Sequence, residues 1–137
     1  MASIRKELTI NAPLDEVWSA LSDWGALHER LVPGFVTDTR VEGSDRIVTF
    51  FTGAVARETF VDLDEEAKRL VWSIVEGPYT HHNGSAQVFP EAGGRTRFVW
   101  ISDFLPNDEE LVATIDGLMQ RGIETIKSTM EAAAAPA

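Results

Sequence analysis

Between Phe35 and Phe104 the chain is cut by turn signals roughly every 8–12 residues, the spacing of a meander of short antiparallel strands. Phe35 to Val41, Arg46 to Phe51, Ala54 to Leu63, Leu70 to Val75, His81 to Phe89 and Arg95 to Phe104 read as strands. The breaks are Glu42-Gly43-Ser44-Asp45, Thr52-Gly53, Asp64 to Lys68, Gly77-Pro78 and Glu91-Ala92-Gly93-Gly94. Such a sheet must bury one face. The only long amphipathic element available to cover it follows at once. Pro106-Asn107-Asp108-Glu109-Glu110 opens a helix, with Asn107 as the expected cap and acids suited to the positive end of the dipole. Leu111, Ile115, Leu118, Met119, Gly122, Ile126 and Met130 then recur at helical spacing along one stripe.

Ahead of the meander, Ser3 to Ile10 reads as a strand with Ile4, Leu8 and Ile10 on one face. Asn11-Ala12-Pro13 starts a short helix carrying Val17, Trp18 and Leu21, with Asn11 able to cap it. A second short helical piece spans Trp24 to Leu31 and stops at Val32-Pro33-Gly34. The expected order is strand, two short helices, six strands and a long helix. This is an α+β arrangement in which residues 1–137 form a single domain, with Ala132 to Ala137 a fraying tail.

A formal charge of −10 removes the basic stripe that nucleic acid would need and disfavours an anionic membrane surface. Without cysteine there is no disulfide, thiolate metal site or cysteine nucleophile. No apolar run is long enough for membrane insertion, and Met1 to Glu7 lacks an apolar signal core, so a cytoplasmic location is expected. A metal site is not expected either. His81 and His82 project to opposite faces of a strand, and His28 lies far away in sequence. No cofactor-binding motif appears, and Gly93-Gly94 is a hairpin turn rather than a phosphate cradle. The sequence allows a monomer or a homodimer.

One group of segments carries a family resemblance: Asn11-Ala12-Pro13-Leu14-Asp15-Glu16-Val17-Trp18, Leu21-Ser22-Asp23-Trp24 and Pro33-Gly34. Arg57-Glu58-Thr59-Phe60, Leu63-Asp64, Leu70-Val71-Trp72-Ser73-Ile74, Thr96-Arg97-Phe98-Val99-Trp100 and Pro106 continue it in order. Together they resemble the helix-grip (SRPBCC) superfamily of START-type lipid-binding domains, pollen-allergen-like proteins and polyketide cyclase/dehydratase-like proteins. That resemblance implies a seven-stranded curved antiparallel sheet wrapped around the long C-terminal helix, with a deep cavity between them. It also implies an apolar small-molecule ligand, such as a lipid, polyketide or aromatic metabolite. Some members catalyse cyclisation, dehydration or hydrolysis, and others only carry or sense a ligand.

Strand parity nominates the lining. In His81 to Phe89 the face bearing His82, Gly84, Ala86 and Val88 points inward. So do Phe98, Trp100, Ser102 and Phe104 in the last strand, and Leu70, Trp72 and Ile74 in the strand of Trp72. From the helix come Leu118, Met119 and Gly122. A mid-stripe glycine costs roughly 1 kcal/mol against alanine, which is explained either by space left for a ligand or by a tryptophan packed over it. Trp18 and Trp24 are expected to anchor the small helices, and Phe51-Thr52-Gly53-Ala54 to be a plain hairpin rather than a lid. The strand of Glu58 gives two answers. Alternation turns Val55, Val61 and Leu63 inward. The resemblance instead turns Glu58 and Phe60 inward, and a bulge would reconcile the two.

An inward Glu58 would be desolvated and could hold a proton for acid/base work, with His82 as its partner near neutral pH. Both could equally serve as polar anchors for an apolar ligand, and a carrier or binding role is favoured. The alternatives are a polyketide cyclase/dehydratase-like enzyme using Glu58 and His82, or a protein-interaction module resembling chaperone activators. The last would need a large exposed apolar patch or a flexible binding segment, neither of which the sequence shows clearly, and a filled, cavity-free core would raise its standing.

Overall fold

The computed structural model describes residues 2–135. It contains seven strands: β1 Ala2–Ile10, β2 Val36–Glu42, β3 Asp45–Phe50, β4 Val55–Asp64, β5 Arg69–Ile74, β6 His81–Glu91 and β7 Arg95–Leu105. The helices are α1 Leu14–Ser22 and α2 Glu109–Ala134. Between α1 and β2 the second helical piece divides into a 3-10 turn, Trp24–Ala26, and a single π turn, Leu27–Leu31, closed by Val32 N–H donating to the Leu27 carbonyl at 3.0 Å.

All strands join one antiparallel sheet in the order β1-β7-β6-β5-β4-β3-β2. The consecutive strands β2 to β7 pair as hairpins, and β1 closes onto β7, with Ala2 opposite Phe104 and Ile10 opposite Thr96. The expected architecture is the observed one: a curved sheet, short helices after the first strand, and a long helix across the concave face. Of the predicted frayed tail, residues 132–134 belong to α2, while Pro136 and Ala137 lie outside the described residues.

Helix α2 buries Ile115, Met119, Gly122, Ile123, Ile126 and Met130. Its first half packs with Ala2, Ile4 and Phe104. Its second half joins the larger core of Ile10, Val17, Trp18, Leu21, Phe35, Val48 and Val88. Ile123 belongs to this stripe although the sequence reading passed over it. Two caps differ from expectation. Asp108, not Asn107, caps α2 by accepting from the Leu111 N–H at 2.9 Å. In α1 the cap position is Pro13, with no side-chain cap, and the Asn11 N–H donates to the Glu131 carboxylate at 2.8 Å. That bond ties the end of β1 to the last turns of α2.

The β4 conflict is settled by a register shift between Phe60 and Asp62. Before it, Ala56, Glu58 and Phe60 share the inner parity; the extra residue Val61 then puts Leu63 back on the inner face against the core. Val55 and Val61, which alternation would bury, are 58% and 51% exposed. A strand read as one uninterrupted zigzag therefore mistakes every face before the bulge.

Candidate functional site

A cavity of about 220 Å³ lies between the concave sheet and α2. Leu21 and Leu31 close one side, Val48, Trp72, Ala86, Phe98 and Trp100 form the floor, and Ile115, Leu118, Met119 and Ile126 of α2 form the roof. Its rim is made by Thr52 and Ala54 of the β3–β4 loop and by Glu76, Gly77, Pro78 and Tyr79 of the β5–β6 loop. The first of these loops is a tied hairpin. Gly53 donates to the Phe50 carbonyl at 2.9 Å and adopts φ 87°, a conformation open chiefly to glycine. Phe51 of the same loop lies under the Arg121 guanidinium of α2, 3.9 Å from carbon to ring centroid.

Of the residues nominated from sequence, Glu58, His82, Trp72, Ile74, Ala86, Phe98, Trp100, Ser102, Leu118 and Met119 line this space. Three do not. Gly122 is closed over, since a Cβ there would stand 2.8 Å from Trp100 Cζ3 and 3.2 Å from Phe35 Cε2. Its missing side chain seats a tryptophan, the close-packing alternative, instead of making room for a ligand. Gly84 is filled in the same way by the Trp72 indole. Phe60 stands edge-on to Trp24, with ring centroids 5.5 Å apart, and contributes nothing to the lining.

The polar end of the cavity centres on a residue that sequence reading missed. Arg46 and Glu58 are direct cross-strand partners in the β3–β4 ladder, both on the inner face. The Arg46 Nε–H donates to Glu58 Oε1 at 2.8 Å, with Arg46 3% and Glu58 5% exposed. The guanidinium also donates from Nη1 to the Trp24 carbonyl at 3.3 Å, and its carbon sits 3.9 Å from the Trp24 ring centroid. Trp24 thus supplies both a hydrogen-bond acceptor and a cation–π face that hold the cation in place. Glu58 is buried on the inner face, and its carboxylate is paired with a cation that the sequence reading had not assigned to it. Arg46 shares its parity with buried Val48. That alternation, combined with counting back from the Thr52-Gly53 turn, was the available signal for it.

His82 faces inward on β6 and is 4% exposed, in T-shaped contact with Tyr79 at 4.4 Å and tilted against Phe104 at 5.3 Å. Its Nδ1 is buried without a partner. Burial pushes the imidazole down to about 4; the neighbouring His81 acts in the same direction, and Asp103 opposes them. His82 is therefore neutral at physiological pH. Ser102 lies on the adjacent inner position of β7, buried and on the cavity wall. Tyr79, at the mouth, has its phenol raised, first by burial and then by the negative charge of Glu58. Trp18 and Trp24 act as anchors outside the lining, Trp18 through a 2.8 Å bond from its indole N–H to Glu65.

Among the described residues, no helix is long and apolar enough to cross a membrane. No curated protein matches the sequence closely enough to stand as a relative. Solved structures do match in fold. An uncharacterized protein from Bacillus thuringiensis superposes with a TM-score of 0.84 at 18% identity, covering 94% of this chain and 98% of its own. The di-domain ARO/CYC BexL of the BE-7585A biosynthetic pathway gives 0.82 at 17% identity, over 99% of this chain and 48% of that one. Norcoclaurine synthase from Thalictrum flavum, in complex with dopamine and hydroxybenzaldehyde, gives 0.72 at 20%, over 93% and 84%. At these identities the likeness speaks for the fold alone. The sequence itself matches a family over residues 1–131, and by that match the chain belongs to the family described as polyketide cyclase / dehydrase and lipid transport.

Proposed function

We propose that this protein binds an apolar small molecule, of the size of one or two rings, between its sheet and α2. The observation that carries the reading is the cavity itself: about 220 Å³, walled mostly by aliphatic and aromatic side chains, with polar groups gathered at Arg46, Glu58, His82 and Ser102. An apolar cavity of about 150 Å³ suffices to take up benzene, whereas drug-sized ligands occupy roughly 300–1,000 Å³. That scale favours a compact aromatic or alicyclic ligand over a long-chain lipid or an extended polycyclic polyketide. The two ring compounds in the norcoclaurine synthase complex belong to the same size class. Native mass spectrometry of freshly purified protein tests the reading directly through a co-purified small molecule. A thermal-shift panel tests it independently, because a ligand at a hundred times its Kd adds about 2.7 kcal/mol of stability. Silence in both assays removes the proposal.

A cyclase/dehydratase-like enzyme remains the second reading, supported by the place of Glu58, His82 and Tyr79 on the lining. The electrostatics favour binding over catalysis. The Glu58 carboxylate is already engaged by Arg46, and an imidazole pushed down to about 4 is a weak base near neutrality. Under the enzymatic reading, Glu58→Gln abolishes turnover while ligand binding survives. The presence of a cavity lowers the standing of the protein-interaction alternative.

A further inference from the structure

We infer that the Arg46–Glu58 pair makes the cavity selective for a neutral ring bearing a hydroxyl, and sets it against the corresponding carboxylate. The inference rests on the ligand-binding reading above and adds the chemical class of the ligand. Five residues that can carry charge contribute to the lining: Arg46, Glu58, Glu76, Tyr79 and His82, and ionisation of the Tyr79 phenol is disfavoured by burial and by Glu58. Glu76 is exposed at the rim, 3.7 Å from Arg57, and His82 is neutral. Inside the cavity there remain one cation and one anion, already joined at 2.8 Å. An anionic ligand would lose its hydration on entry and meet a guanidinium whose charge is already answered. A cationic ligand meets the mirror image of that situation. A neutral ligand loses little hydration.

The pair also leaves polar capacity unused. Arg46 spends Nε on Glu58 and Nη1 on the Trp24 carbonyl, and Glu58 accepts through Oε1. Among the described residues, Nη2 of Arg46 and Oε2 of Glu58 have no protein partner. One open donor and one open acceptor on paired residues match a group that both accepts and donates, which a hydroxyl does and a carboxylate does not. The protein carries an internal example of that chemistry. Tyr79, a phenol on the same lining, has its ionisation disfavoured by burial and by the charge of Glu58. A ligand phenol at the polar end would be held neutral by the same two effects.

Three probes of one shape test the inference: 2-naphthol, naphthalene and 2-naphthoate, titrated calorimetrically into the full chain at neutral pH. The hydroxyl is expected to gain about tenfold or more in affinity over naphthalene, the scale of a hydrogen bond to a charged group, with naphthoate the weakest. In Glu58→Gln the guanidinium loses its counter-charge, and naphthoate is expected to become the tightest of the three. The double variant Arg46→Met/Glu58→Met provides a check that does not leave a buried charge unpaired. There naphthol and naphthalene should bind alike, and naphthoate should remain the weakest. If wild type binds naphthoate or naphthalene as tightly as naphthol, the inference is overturned while the binding reading stands. The same holds if naphthoate gains nothing in a folded Glu58→Gln, or if naphthol keeps its advantage in the double variant. If none of the probes binds and the wider ligand panel is also silent, the binding reading itself falls.

Discussion

Burying His82 has a thermodynamic consequence that can be worked through in full. The imidazole titrates at 6.5 when free and at about 4 in the fold, because burial beside Tyr79 and Phe104 penalises the cation. The unfolded chain therefore binds the extra proton across the interval between those values. Stability due to neutral His82 is complete above the unfolded value and declines as pH falls towards the folded one. With those two values, linkage gives a loss of about 2 kcal/mol between pH 7 and pH 5, within a ceiling of roughly 3 kcal/mol. For a chain of this length, whose urea slope is about 1–3 kcal/mol/M, the denaturation midpoint should fall by about 1 M. The interval suits the measurement. Glu7, Asp45 and Glu131 are held below their ordinary carboxylate values by Arg5, Arg57 and Lys127 respectively, so their contributions fade mainly at lower pH. Urea melts of wild type and His82→Phe at pH 7, 6 and 5 isolate the effect. The variant keeps an aromatic ring against Tyr79 and Phe104 but cannot titrate. Wild type should lose stability relative to the variant as pH falls. Parallel midpoints for the two proteins would refute the assignment of a buried neutral imidazole.

Gly122→Ala should destabilise by up to about 2 kcal/mol net in urea melts: an overpacking cost of about 1–3 kcal/mol against Trp100 and Phe35 exceeds the roughly 1 kcal/mol gained in helix propensity. Asp108→Ala should cost about 1 kcal/mol through loss of the α2 cap, with Asp108→Asn close to wild type in the same melts. Arg46→Met alone should cost about 3–5 kcal/mol by leaving Glu58 buried and unpaired, whereas Arg46→Met/Glu58→Met should recover most of that loss. A double-mutant cycle in denaturant reads the coupling.

The sheet was legible because turn chemistry and alternation are local. Thr52-Gly53 and Gly93-Gly94 mark their hairpins whatever lies around them, and the stripe from Leu111 to Met130 is visible without a partner. Faces were legible wherever a strand runs unbroken, as in His82, Gly84, Ala86 and Val88. They failed at Val55 and Val61, because one extra residue at the bulge reverses the parity and carries no side-chain signature of its own. Gly84 and Gly122 were legible as small but not as seats for Trp72 and Trp100. That distinction depends on how far a ring from another strand reaches, which alternation does not encode.

The ion pair was legible only jointly. Taken alone, Arg46 opens a strand and Glu58 is a glutamate of ambiguous face. Counting outward from the Thr52-Gly53 turn sets Thr49 against Val55, Val48 against Ala56 and Arg46 against Glu58. Once Val48 is inward, so is Arg46, and register carries Glu58 with it. Burying both charges is a poor route to stability, since a well-packed apolar pair of similar volume does as well or better. The surroundings point to a different use. Trp24 holds the guanidinium from its face and through its carbonyl, and Trp24 is itself braced edge-on by Phe60, the residue expected at the cavity wall. Phe60 thus reaches the site at one remove, steadying the ring that steadies Arg46. This shell holds the guanidinium that pairs with Glu58, and a held polar group is what an orienting site for a small neutral ligand requires.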